Sequence, residues 1–304
     1  VRTALSVNEI PTMSFEARWI AGVTASALHA AECLLRGDAA ADARLAAALS
    51  SEAQQLGAEL AIAGLQPQAF FAQAIPLSAR RDTPRQLAEG VLSKLLGPHH
   101  AHSIDTFTRR LTTLTAAFCD ALPGVADELE LRSGPLREQW EARGPGLLSM
   151  LRRLTEPDLI ADSADVLLVQ PLLGGGGAAY PSYNTLTLEA VLANPVASLP
   201  EIVRLAWLWA QLQFDLPKYS EHIGHNRLAQ IGPLALVPPA LAAAQEVELA
   251  PLTPAAVALA LDTWATREFA VSPELLWEWW TTYQATNSSW AAALGALDRM
   301  LSED

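Results

Sequence analysis

Cysteine is nearly absent: Cys33 and Cys119 are the only two in 304 residues. A disulfide framework and a four-cysteine zinc site are thereby excluded. Both thiols sit in apolar, helix-prone stretches, where a free cysteine is most often a small core residue. A reducing compartment such as the cytoplasm is the simplest expectation. Charge is also scarce, at 17% of residues, and the balance is acidic, with a net charge of −13. Basic residues gather only as the pairs Arg80–Arg81, Arg109–Arg110 and Arg152–Arg153. Nucleic acid calls for a concentrated basic face, so no such partner is expected. A membrane span takes roughly 20 apolar residues. The run 205–212 is bounded by Arg204 and interrupted by Gln211, and the run 233–244 is interrupted by Pro238 and Pro239. Neither is expected to cross a membrane. No secretory leader is legible, no repeat of fixed period, and no G-x-S-x-G nucleophile elbow. Neither cysteine has the adjacent cationic setting of a reactive thiol.

What is plentiful is Ala and Leu, with hydrophobic residues at 51%. That composition fits a globular, mainly helical chain. Helices are expected over 14–36, 40–63, from Pro67 through Phe71, from Pro84 to Leu96 and over 103–121, with shorter ones at 135–143 and 146–154. Thr83, Pro84 and Gln86 form a strong helix start. A further capping box is read at Ser198 to Glu201, and another start at Ser272–Pro273–Glu274. The character changes at Glu156–Pro157. Residues 164–192 read as strand, glycine loop, strand, in an antiparallel pair, with Thr185, Thr187 and Glu189 on a half-exposed face. The segment 199–214 is apolar almost all round, which marks a buried central helix. The expected fold is mainly α, with a small antiparallel β element at about 164–192 packed on that helix. Residues 1–155 form a helical region and 156–304 a β-hairpin plus helices, either as two parts or as one continuous domain.

Four consecutive glycines, 174–177, raise the question of a phosphate cradle. A P-loop ends in Lys-Ser/Thr, and a dinucleotide loop runs straight into a helix. Here the next lysine is Lys218. The glycines therefore read as a loose connection, with Gly175 and Gly176 as ligand contacts if the loop is a flap. Arg204 lies inside the apolar helix and must be paired if buried. Glu201 and Glu189 are its candidate partners. A structural ion pair is one reading. The other is that Arg204, Glu189, Gly175 and Gly176 bind a small apolar ligand.

Histidine gathers twice, as His99, His100 and His102 and as His222 and His225. Imidazoles so close can hold a transition metal, but the H-E-x-x-H spacing of metalloproteases is missing. No cofactor is expected. The C-terminal segment carries Trp277, Trp279, Trp280 and Tyr283, residue types that dominate interface hot spots. The leading reading is a non-catalytic interaction or scaffold protein, or a pseudoenzyme, that uses this aromatic surface for a protein partner or self-association. The alternatives are a metal-dependent hydrolase built on the two histidine clusters and the small-ligand protein anchored by Arg204.

Overall fold

The computed structural model describes residues 15–97, 101, 103–221, 223–264, 271–286 and 288–303. The chain opens with a strand, β1, Glu16–Ala21, where a helix was expected. Phe15, Ala17 and Trp19 alternate with Glu16 and Arg18, and the apolar three pack on the core. That period of two outweighs the Ala-rich sequence that follows. Arg18 grips both oxygens of Asp165 at 2.8 and 2.7 Å. Gly22 then turns the chain into α1, Val23–Arg36. A Cβ at Gly22 would stand 2.8 Å from Leu167 Cδ1, so strand and helix meet closely there.

A helical layer follows. It comprises α2, Ala43–Ile62, α3, Pro67–Ser78, α4, Pro84–Leu96, and α5, Ile104–Ala121. Asp42 caps α2 through the Arg44 and Leu45 amides, and Thr83 caps α4 through the Gln86 amide. α3 continues through Pro76, past the point where a loop was expected. α6, Val125–Leu154, is one long helix that contains Pro135 and Pro145, where two short helices were expected. A buried stripe of Leu129, Trp140, Leu147, Leu148 and Leu151 holds it together across both prolines.

The sheet contains β2, Ser163–Val169, β3, Gly177–Tyr180, and β4, Thr185–Glu189, in the order β1-β2-β4-β3. The fold is mainly α with a small β element, as expected, but the two strands read on either side of the glycines are parallel neighbours, not an antiparallel pair. β2 runs parallel to both β1 and β4, and only β3 and β4 are antiparallel. The chain leaves β2, passes the glycines and runs back along the edge as β3. A short 3₁₀ turn, Pro181–Tyr183, with Asn184 left-handed at φ 49°, then reverses it into β4. β4 is thus an inner strand. All five of its residues are buried, including the Thr185, Thr187 and Glu189 face expected to be half-exposed.

α7, Glu201–Trp209, is buried at every residue and packs on α6, β3 and β4. It is shorter than the expected 199–214. Pro200 occupies its N-cap, and no side chain caps it. The rest is α8, Pro217–Ser220, α9, His225–Ala235, α10, Val237–Glu246, α11, Pro254–Trp264, α12, Pro273–Ala285, and α13, Trp290–Glu303. α9 and α10 run on from His225 to Glu246. Among the described residues, this is the one stretch long and apolar enough to cross a membrane, and 72% of its most apolar window is buried within the protein. One hydrophobic core joins residues from both halves, among them Leu49, Phe70, Leu167, Trp209 and Trp290.

Candidate functional site

The three parallel strands aim their carboxyl ends the same way. β4 ends on Glu189, a side chain with no exposed surface. Its carboxylate is wrapped by the glycine loop. Oε1 accepts the amides of Leu172 and Leu173, both at 2.8 Å, and Oε2 accepts the Gly175 amide at 2.7 Å. The loop is not the loose connection the sequence suggested. It is an anion-holding nest, and the anion is the protein's own carboxylate. Gly174 and Gly175 adopt φ of 83° and 132°, which lets successive amides converge on one point.

The fourth donor comes from α1. His29 Nε2 lies 2.8 Å from Glu189 Oε1. Burial opposes charge on this imidazole, but Cys33 and the Glu189 carboxylate favour it and push its pKa up to about 10. Burial likewise opposes charge on Glu189, while His29 and the loop amides outweigh it and hold the carboxyl below the usual range. Cys33, His29 and Glu189 bring the parts of a thiol–imidazole–carboxylate triad together, but the geometry is not catalytic. Cys33 Sγ is 3.9 Å from both ring nitrogens, so it lies on the lone-pair axis of neither, and the thiol is fully buried.

Arg204 stands behind the loop. A Cβ at Gly175 would be 3.1 Å from its Nη1. That nitrogen approaches Glu201 Oε2 at 3.5 Å, in an ion pair without a hydrogen bond. Arg204 Nε and Nη1 and both Glu201 oxygens are buried with no hydrogen-bond partner. Burial pushes the Glu201 carboxyl above its ordinary value, partly offset by Arg204 and reinforced by Glu189. Burial also lowers the Arg204 guanidinium.

A crevice of about 320 Å³ opens beside this chain of charges, between α6, the end of β4 and the start of α7. Arg132, Gln139 and Asn194 line its polar side, and Glu189 and Glu201 border it with carboxylates that are themselves buried. Pro135, Leu136, Val191 and Pro200 form apolar walls. Leu131 and Leu192, two of the three most exposed large hydrophobic residues among those described, also line it, each at 80% exposure. Arg132 Nη1 donates to the Ala190 carbonyl at 3.0 Å and Nη2 to Glu128, while its buried Nε has no hydrogen-bond partner.

The other candidates lie apart. His225 opens α9 and lines a separate cavity of about 190 Å³ with Phe214 and Asp215. His99, His100, His102 and His222 lie outside the described residues. Among the described residues, no three His, Cys, Asp or Glu side chains gather as a metal site. On α12, Trp279 and Trp280 are buried and Trp277 and Tyr283 half-buried. Trp279 Nε1 donates to the Ala293 carbonyl at 2.8 Å, and its ring stacks on Tyr283.

Comparison with family models, curated proteins and solved structures finds no match to this chain. Of the converging residues, sequence reasoning singled out Arg204, Glu189, Gly175 and Gly176 and missed His29. Its signal was present: a lone imidazole inside the apolar stretch ASALHAAECLL requires a buried partner.

Proposed function

We propose that the chain is a small-molecule binding protein whose site is the crevice between α6, β4 and α7. The observation that carries this reading is the placement of the concavity. It opens at the carboxyl end of β4, where ligands of sheets with parallel strands collect, and it combines apolar walls with a few convergent polar groups. Leu131 and Leu192 support it further. Solvent-exposed leucines on both flanks of one opening make sense if an apolar ligand covers them. A volume of 320 Å³ accommodates about ten water-sized groups, the size of a small metabolite. Arg204, the anchor expected from sequence, backs the site through Glu201 and Gly175 and does not itself line the crevice. The scaffold reading has weaker support, because the aromatic face of α12 is half consumed in the core.

The test is binding of a neutral, environment-sensitive apolar dye, with Leu131→Asp and Leu192→Asp beside the wild type. Both positions are exposed, so the melting temperature should stay put. Each covered leucine contributes about 1.5 kcal/mol to an apolar contact, so each substitution should weaken dye binding about ten-fold. Unaltered binding in both variants would refute the site.

A further inference from the structure

β3 is an edge strand, last in the order β1-β2-β4-β3, and each of its residues keeps part of its surface open. The Glu189 amide donates to the Gly176 carbonyl at 2.8 Å, and the Ala178 amide donates to the Thr187 hydroxyl at 3.1 Å. Bonded and non-bonded positions alternate in an antiparallel ladder, so Ala178 and Tyr180 spend their N–H and C=O groups on β4. Gly177 and Ala179 turn theirs outward, to the free edge. Ala179 also lines the cavity of about 190 Å³ that lies between β3 and the start of α9. Two polar side chains of that cavity have unfilled oxygens. Gln211 is 7% exposed. Its Nε2 donates to the Trp207 carbonyl at 3.2 Å, while Oε1 has no partner and is not sealed by protein, which leaves it open to the cavity. Asp215 is exposed, and its carboxylate makes no hydrogen bond or ion pair among the described residues. No Lys or Arg among those residues lines the cavity. The Ser182 hydroxyl and a neutral His225 imidazole complete the polar lining, and each both donates and accepts.

We propose that this edge docks an extended peptide segment of a partner protein, added antiparallel to β3, with a lysine or arginine side chain seated in the cavity. The guest residue opposite Ala179 exchanges both backbone bonds with it and projects its side chain from the same face of the sheet. Ala179 lines the cavity, so that face is the cavity's own. The aliphatic stem of the guest side chain lies along Phe214, Leu228 and Pro233. Its cationic head pairs with Asp215 and donates to Gln211 Oε1. Charge complementarity selects the basic residue: the cavity carries an unpaired carboxylate, on a chain of net charge −13. Backbone pairing supplies affinity and the pocket supplies specificity, as in other strand additions. A volume of 190 Å³ holds about six water-sized groups, the bulk of one such side chain. The cavity shares no lining residue with the crevice between α6, β4 and α7, so either site can be lost without the other.

The experiment is fluorescence anisotropy on the intact chain with dye-labelled threonine–valine peptides of about nine residues, the length of a strand. They carry lysine, norleucine or glutamate at the centre, and salt is held at about 0.15 M to damp long-range attraction. The lysine peptide should bind about ten-fold more tightly than the norleucine peptide, as a charge-assisted hydrogen bond implies, and the glutamate peptide should be the weakest. Asp215→Asn should erase the lysine advantage and leave norleucine unchanged, with the melting temperature held because position 215 is exposed. N-methylation of the central lysine amide removes its bond to Ala179 and should weaken binding about ten-fold. Ala179→Pro removes the outward N–H from the protein's side and should do the same. Equal lysine and norleucine affinities in the wild type, or an N-methylated peptide that binds undiminished, would overturn the proposal without needing any variant. A lysine advantage that survives in D215N would also overturn it, as would no binding of any peptide at about 1 mM. A dimer in sedimentation velocity that dissociates in A179P would give the edge to a second copy of this chain instead.

Discussion

Glu189 is completely enclosed and accepts hydrogen bonds from His29, Leu172, Leu173 and Gly175. A buried carboxylate keeps its charge only where partners replace water on nearly every lone pair. Glu189→Gln turns one acceptor into a donor that faces N–H groups, and it leaves His29 without an anion. The expected loss is about 3–5 kcal/mol in denaturant unfolding, the range for breaking a buried pair. A loss under about 1 kcal/mol would mean the wrap contributes little. The pair also makes stability depend on pH. The folded pKa of His29 is raised from 6.5 to about 10, so its contribution is complete below pH 6.5 and drains away as pH rises through about 10. The folded pKa of Glu189 is lowered, so its contribution is present above the ordinary carboxylate range and lost as pH falls through the depressed value. The wild type should therefore lose stability between pH 6.5 and about 10 with a slope that His29→Gln lacks. Parallel slopes in the two proteins would remove His29 as the cause.

The glycine loop makes its own demands, and they differ residue by residue. A Cβ at Gly177 would lie 2.5 Å from the backbone oxygen of Thr187, inside the sheet. At Gly175 it would meet Pro195 at 2.9 Å and Arg204 at 3.1 Å, with φ already at 132°. At Gly176 it would find only ordinary contacts, the nearest 3.5 Å away. Gly177→Ala and Gly175→Ala should each cost about 1–3 kcal/mol. Gly176→Ala should be neutral to about 1 kcal/mol stabilising, because alanine restricts the unfolded chain. Equal effects at all three would mean the loop is a mere tether. The sequence could not reveal this, because G-G-G-G has the same composition whether it is slack or wound on a carboxylate. Helix starts were legible at Thr83 and Ser272, where a local hydrogen bond sets the boundary. The buried nature of α7 was legible because its sequence is apolar on nearly every face. β1 was hidden: six residues of alternation run directly into an alanine-rich helix, and its partner lies about 147 residues away. Proline normally ends a helix, so the sequence predicts two short helices where α6 lies. Tertiary packing carries it across Pro135 and Pro145 instead.

The two halves read from the sequence are joined through the sheet. β1 belongs to the first half, β2 and β4 to the second, and β2 lies between β1 and β4. The charged chain crosses the same divide, with His29 on α1 and Glu189 on β4. So does the crevice, whose walls are α6 from one side and β4 and α7 from the other. Trp140 of α6 stacks on Trp209 of α7, with ring centroids 5.3 Å apart. A fragment of residues 156–304 would thus expose one edge of β2, strand the Glu189 carboxylate without its imidazole and lose the wall that covers α7. It should show no cooperative thermal transition, and residues 1–155 added in trans should be needed to restore one. A fragment that melts cooperatively near the temperature of the intact chain would show that the second half folds by itself. The crevice would then be a boundary between two independent units, and ligand affinity would depend on how tightly they dock. Cooperative melting of the intact chain alone places the crevice within a single folding unit. Ligand binding would then stabilise the whole molecule by mass action, and the shift in melting temperature with ligand concentration would report occupancy directly.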